Sequence, residues 1–319
     1  MSAASSNSAG GRVAAAIDVG SNSVHLLVAS VDGGRPVELH DESVLLGLGA
    51  VVDMEGRIPE AAAQATLAAL TDYVATARDA GAEWVTLLAT EPLRRASNRT
   101  WFQSQVSEAT GLPLAVLSHE EEAELTVLSV LGGEPPSRPM LVLDIGGGSS
   151  EVVLLGPGAD LVIGVMPVGS ARLTASHIER DPPDRAEIEA LRSEAHHLLA
   201  GMPAGHPELG VVVGGSGTNL VRMTSDGARS DQVIDKERIA EVLDKVSTYV
   251  SSELMEMYGL RERRVVQMAA GASLIEATLD CYGLERIDAS DHSLREGAIL
   301  AWAGAGERWR ERLSELVSG

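Results

Sequence analysis

The sequence predicts an α/β protein of two lobes, and three observations carry that expectation. Its 319 residues exceed the usual span of one domain, so two separate cores are expected. Short apolar runs of strand length alternate with longer helical stretches, the pattern of α/β layers. An Asp-x-Gly turn set between two apolar runs occurs twice, at Asp18 and at Asp144, and reads as an internal duplication with one copy opening each lobe.

Residues 1–11 are small, polar and without periodicity, which predicts a disordered leader. Val13 to Ile17 and Val24 to Val31 are apolar runs separated by the turn Asp18-Val19-Gly20-Ser21-Asn22-Ser23, a buried hairpin. Ile58 to Ala80 predicts a long Ala-rich helix stopped by Gly81, and Trp84 to Leu88 a strand. Pro92 to Ala96 and Thr100 to Thr110 read as helical before a strand over Leu114 to Leu117. The Pro- and Gly-rich run Gly132 to Pro139 cannot continue a helix and predicts a linker. Beyond it Met140 to Leu143, the turn Asp144 to Ser149 and Val152 to Leu155 repeat the first hairpin, and Val211 to Val213 leads into a third Gly-rich turn. Ala298 to Val317 predicts a helix returning to the first lobe. The expected division is a leader over 1–11, an N-terminal lobe over 12–131 joined by a C-terminal helix at about 300–319, and a C-terminal lobe over 132–299.

Composition narrows function. Lys and Arg total 25 against 46 Asp and Glu, a net charge of −21 that argues against a nucleic-acid surface. The single Cys281 excludes a disulfide framework and a Cys-based zinc cluster, and is expected to pack inside. No apolar run reaches membrane length and the leader lacks a secretory core, so a soluble cytoplasmic protein is expected. Adjacent His196 and His197 cannot share a helix face, and Arg261-Glu262-Arg263-Arg264 reads as a solvated turn.

The duplicated turns carry the chemistry. In each an Asp ends a buried strand, and the Gly-rich return aims consecutive backbone N–H groups at one place, a nest that suits phosphate with the Asp set to hold a divalent cation. Alone, either copy could be an ordinary hairpin whose glycines only ease the turn. Gly215, Ser216 and Gly217 in the third turn are a further phosphate contact in this reading. Ser118-x-x-Glu121 has capping-box spacing, which leaves Glu122 one step round the helix.

At these residues the sequence resembles the exopolyphosphatase/guanosine pentaphosphate phosphohydrolase (Ppx/GppA) family of the actin, sugar-kinase and Hsp70-like superfamily. AIDVGSNSVHLLVA and LVLDIGGGSSEVV resemble its two phosphate loops, ATEPLRRASN its Arg-bearing motif, SHEEEAEL the segment with its catalytic glutamate, and SDHSLREGAIL the segment before its last helix. His119 stands where the family commonly has Gly, Pro92 where it has Ala, and Ser149-Ser150-Glu151 where it often has Ser-Thr-Glu. The resemblance implies two ribonuclease-H-like lobes with an active-site cleft between them.

It also implies roles. Glu122 would be the general base and Arg94 the clamp on the terminal phosphate. Asp144, Glu151 and Asp18 would hold Mg²⁺, with Mn²⁺ as the alternative ion. Gly20, Ser21, Asn22, Ser23, Gly146, Gly147, Gly148 and Ser149 would line the phosphate path, with Arg172 and Arg295 as secondary candidates. The implied activity is release of terminal orthophosphate from polyphosphate or guanosine pentaphosphate by a homodimer. A kinase or ATPase of the same superfamily and an inert nucleotide sensor are the alternatives. The short C-terminal part resembles the two-domain form, from which distributive action on short chains is expected.

Overall fold

The computed structural model describes residues 11–225 and 231–318. All of the predicted leader but Gly11 lies outside the described residues. The strands are β1 (Arg12–Val19), β2 (Ser23–Val31), β3 (Val37–Leu45), β4 (Trp84–Ala89), β5 (Leu114–Val116), β6 (Met140–Ile145), β7 (Ser150–Leu155), β8 (Val162–Met166), β9 (Leu209–Val213), β10 (Val233–Asp235) and β11 (Arg286–Ser290). The helices of the first half are α1 (Leu48–Glu55), α2 (Glu60–Asp79), α3 (Glu91–Arg95), α4 (Arg99–Thr110) and α5 (His119–Leu131). The second half carries α6 (Ser170–His177), α7 (Arg185–Ala200), α8 (Gly215–Thr224), α9 (Lys236–Thr248), α10 (Ser251–Tyr258), α11 (Glu262–Val266), α12 (Met268–Tyr282), α13 (Leu294–Ala305) and α14 (Leu313–Ser318).

The duplication read from the sequence is a duplication of topology. One sheet runs β3-β2-β1-β4-β5, and the other runs β8-β7-β6-β9-β11 in the same sense, with β10 added at its edge. In both, the first three strands pair antiparallel and the next two parallel. The apolar runs are continuous because both faces of these strands are covered. Along β1, Ala15, Ile17 and Val19 enter the core beneath α2 and α4, while Ala14 and Ala16 enter a second core shared with α5 and α13. Along β6, Met140 and Val142 enter that same shared core, and Leu141, Leu143 and Ile145 enter the core of the second lobe.

Helices α5 and α13 are therefore the filling between the two sheets. They cross closely at Gly297, where a Cβ would stand 1.9 Å from the Leu125 carbonyl oxygen, so no larger residue fits the crossing. This contact fixes α5, whose first turn carries Glu122. The start of α5 is set by the predicted capping box: Ser118 Oγ accepts from Glu121 N at 3.1 Å and Glu121 Oε2 from Ser118 N at 2.8 Å.

The C-terminal stretch departs from the single helix expected over Ala298 to Val317. Helix α13 ends at Ala305, a 3₁₀ turn follows over Gly306–Arg308, and α14 begins at Leu313. The break lets Trp302 stack on Trp84 at 5.4 Å while Trp309 meets the same ring edge-on at 6.2 Å. Cys281 is exposed rather than packed inside, because it lies on the outer face at the end of α12. Among the described residues no helix is long and apolar enough to cross a membrane.

Candidate active site

A cleft of about 260 Å³ opens where the two sheets present their duplicated turns to each other. Each turn closes in the same way: Gly20 N–H donates to Ser23 O at 3.0 Å, and Gly146 N–H donates to Ser149 O at 3.0 Å. At the edge of this cleft the loops touch through side chains that reach across from the first lobe. A Cβ on Gly147 would sit 2.8 Å from Asn22 Nδ2, and one on Gly148 would sit 2.3 Å from Glu91 Oε2 and 2.7 Å from Ser21 Oγ. A side chain at 148 would displace the Glu91 carboxylate and the Ser21 hydroxyl that reach across from the other lobe.

Asp18, Gly20, Ser21, Asn22, Ser23 and Glu122 line the cleft from the first lobe, and Asp144, Gly146, Gly147, Gly148, Ser149 and Gly215 from the second. Arg94 and Glu151 lie behind these linings. Arg94 Nη1 donates to Glu122 Oε2 at 2.6 Å and to Leu117 O at 3.0 Å, and Nη2 donates to Ser149 Oγ at 3.4 Å. Glu151 is buried on β7, with His119 Nδ1 2.8 Å from its Oε1.

Two predicted contacts are elsewhere. The third turn is only Gly214, at φ +96°, and Gly215, Ser216 and Gly217 already form the first turn of α8. Ser216 packs toward Gly271, and Gly217 packs toward Val212 and Ala289. Helical rotation thus leaves Gly215 at the cleft and turns the next two residues into the core. Arg172 sits at the outer edge, where Nη2 donates to Asp53 Oδ1 at 2.8 Å and ties α6 to α1. Arg295 lines the cleft and pairs with Asp41 at 2.9 Å.

The sequence reading missed several lining residues. Glu91, at the start of α3, accepts from Ser21 Oγ at 3.1 Å and is paired with Arg95. Arg264 reaches the cleft too, because its segment is the short helix α11 rather than a solvated turn. Among the described residues no carboxylate pairs with it, and burial with Arg261 nearby holds its guanidinium below the ordinary value. His25 also lines the cleft, with Nε2 2.5 Å from Ser23 Oγ; burial and Arg295 push it down to about 3, so it is neutral.

The electrostatics are those of acids removed from water. Burial pushes Asp18 up to about 7, against the pull of Arg295, and Glu151 up to about 8, with Asp144 adding to the rise. Asp144 is raised by burial although Thr126 Oγ1 donates to its Oδ2 at 2.9 Å. Glu122 is raised well above the ordinary glutamate value by burial and by Glu151, against Arg94. Asp18 Oδ1 is buried with no hydrogen-bond partner. A hard divalent cation fits this donor set, since it takes oxygen ligands and repays their desolvation.

The sequence profile of the Ppx/GppA phosphatase family matches residues 27–305. Exopolyphosphatase 1 of Mycobacterium leprae is 31% identical over 299 residues, covering 89% of this chain and 87% of its own length. A crystal structure of the Aquifex aeolicus Ppx/GppA family member aligns with a TM-score of 0.80 at 26% identity, over 93% of this chain and 99% of that one. An exopolyphosphatase from Cytophaga hutchinsonii shares the fold, with a TM-score of 0.81 at 21% identity over 92% and 98% of the two chains. The two-lobed, actin-like architecture expected from the sequence is the one found.

Proposed function

The chain belongs to the Ppx/GppA phosphatase family, and from that premise we propose that it hydrolyses phosphoric anhydrides, releasing terminal orthophosphate from inorganic polyphosphate, with guanosine pentaphosphate as the competing substrate. The observation that carries this reading is the convergence of Glu122 and both phosphate loops on one interlobe cleft. The terminal phosphoryl group lies between the loops, held by the backbone N–H groups of the two turns. Glu122 accepts a proton from water as its oxygen attacks the terminal phosphorus. The phosphoanhydride bond breaks, and the products are orthophosphate and a chain one phosphate shorter. Burial and Glu151 raise this carboxyl above the ordinary glutamate value, which makes its ionised form a stronger base than a solvated carboxylate.

Arg94 keeps Glu122 in place, and its Nη2, held to Ser149 Oγ only at 3.4 Å, turns to the phosphoryl oxygens as charge develops on them. Asp18, Asp144 and Glu151 would hold Mg²⁺, or Mn²⁺ in its place. The ion supplies charge neutralisation at the phosphate oxygens when bound. Arg264 and Arg295 supply positive charge on the cleft wall for the following phosphates, a local exception to the net charge of −21. A homodimer working in the cytoplasm is part of the proposal.

The test is phosphate release from polyphosphates of defined length, guanosine pentaphosphate and ATP, compared side by side with and without Mg²⁺. Mg²⁺-dependent release from polyphosphate supports the reading. Transfer of the phosphate to a second molecule instead of water would place the chain with the kinases of the same fold.

A further inference from the structure

His119 is the first residue of α5 and stands three positions before Glu122, so the two side chains share a helix face. Opposite them β7 of the other sheet brings Glu151, whose side chain is 2% exposed. His119 Nδ1 is 2.8 Å from Glu151 Oε1, and the imidazole nitrogen and one oxygen of each carboxylate all lie within 4.8 Å of one another. A tetrahedral ion with bonds of roughly 2.0–2.1 Å needs donors about 3.3 Å apart, so small side-chain movements close this triangle. Glu122 lines the cleft, which leaves the fourth position open to water.

We propose that His119, Glu122 and Glu151 form a site for a borderline transition-metal dication of the Zn²⁺ class. The donor set selects the ion: an imidazole nitrogen suits Zn²⁺ or Co²⁺, whereas Mg²⁺ prefers oxygen donors. Arg94 is the competing cation, with Nη1 2.6 Å from Glu122 Oε2 and Nη2 3.1 Å from His119 Nδ1. A dication at this place takes over the neutralisation of Glu122 and displaces that guanidinium. Its occupation removes Glu122 and Glu151 from hydrolysis, so Zn²⁺ inhibits. That consequence rests on the proposed function, and the site itself does not.

The test is a Co²⁺ titration of the full chain after removal of metals by chelation, followed by the visible d–d bands, with Zn²⁺ as the displacing ion. Equimolar Co²⁺ is expected to give the strong bands of four-coordination, lost on addition of Zn²⁺. His119→Gly and the less disruptive His119→Asn, checked for folding by far-UV circular dichroism, are expected to weaken binding by at least about 10-fold, within the range known for disturbed metal sites. Arg94→Gln removes the competing charge and is expected to tighten it. Absent bands, or bands unchanged in both folded His119 variants, overturn the site. A His119-dependent spectrum with no inhibition of phosphate release supports the site and overturns the role given to Glu122.

Discussion

Arg94 and Glu122 form an ion pair of 2.6 Å in which neither side chain is more than 14% exposed. The two come from different helices of one lobe, and Arg94 also reaches Ser149 of the other. Deleting one partner of such a pair leaves the other charge uncompensated, so the informative substitutions keep either the shape or the charge of the side chain they replace.

Glu122→Gln retains an oxygen that can accept from Arg94 but cannot take a proton from water. Phosphate release is expected to fall by about 10²–10⁴-fold, the usual worth of a general base. The melting temperature near pH 8 is expected to hold or rise, because burial and the crowding by Glu151 and Asp144 outweigh the pull of Arg94 on this acid, and the amide still accepts from Arg94. Steady-state phosphate release and a thermal melt on the same preparation check both halves.

Arg94→Lys keeps the charge and loses the fork. One ammonium cannot reach Glu122, Leu117 O and Ser149 as the guanidinium does. The turnover number is expected to drop about 10²–10³-fold, as when a donor to a transition-state oxygen is lost. Recovery of near wild-type turnover in this variant would remove Arg94 from the phosphate site.

The buried acids make stability depend on pH and on metal. Asp18 and Glu151 keep their protons up to about 7 and about 8 in the fold, against 3.8 and 4.5 as ordinary values. Between those limits the native state binds more protons than the unfolded chain, so unfolding free energy falls as pH rises. The contribution is complete below the ordinary values and is lost as pH passes the raised ones. In chelator the melting temperature is expected to decline from about pH 5 to about pH 8.5, and Mg²⁺ to raise it more at the upper end. Differential scanning fluorimetry across that range reads both trends.

Gly148→Ala places a methyl group where Glu91 Oε2 and Ser21 Oγ already stand. Those two side chains must shift within the cleft lining, so activity is expected to fall by at least about 10-fold, less than the roughly 10²-fold of a 1 Å misplacement. Gly158→Ala, on the second lobe with open space around its Cβ position but φ +64°, is the control for a merely local effect. Its activity is expected to stay near wild type even where its stability drops.

Much of this architecture was legible in the sequence because it is written in two-sided burial. The runs at β1, β2, β6 and β7 are apolar on both faces over most of their length, and the Asp-x-Gly turns repeat at matching places. Strand β3 was not legible, since Val37–Leu45 is an edge strand with Val37 and Leu39 exposed and charges between them. Glu122, Arg94 and the loop residues could be named from motif resemblance. Arg264 could not, because a run of charges reads as a solvated surface until α11 turns one of them into the cleft. The turn of Ser216 and Gly217 toward the core was not legible for the opposite reason: a Gly-rich string looks like one loop, and only the helical rotation of α8 shows that Gly215 is the residue of the three lining the cleft.

The central claim is that Glu122 directs water onto the terminal phosphorus of a polyphosphate. It is tested most directly by hydrolysis in ¹⁸O-labelled water, with mass analysis of the orthophosphate released by wild type and by Glu122→Gln. Each released orthophosphate is expected to carry a single ¹⁸O from solvent, and the variant to release almost none. Label found in the shortened chain instead, or a variant within a few-fold of wild type, would contradict it.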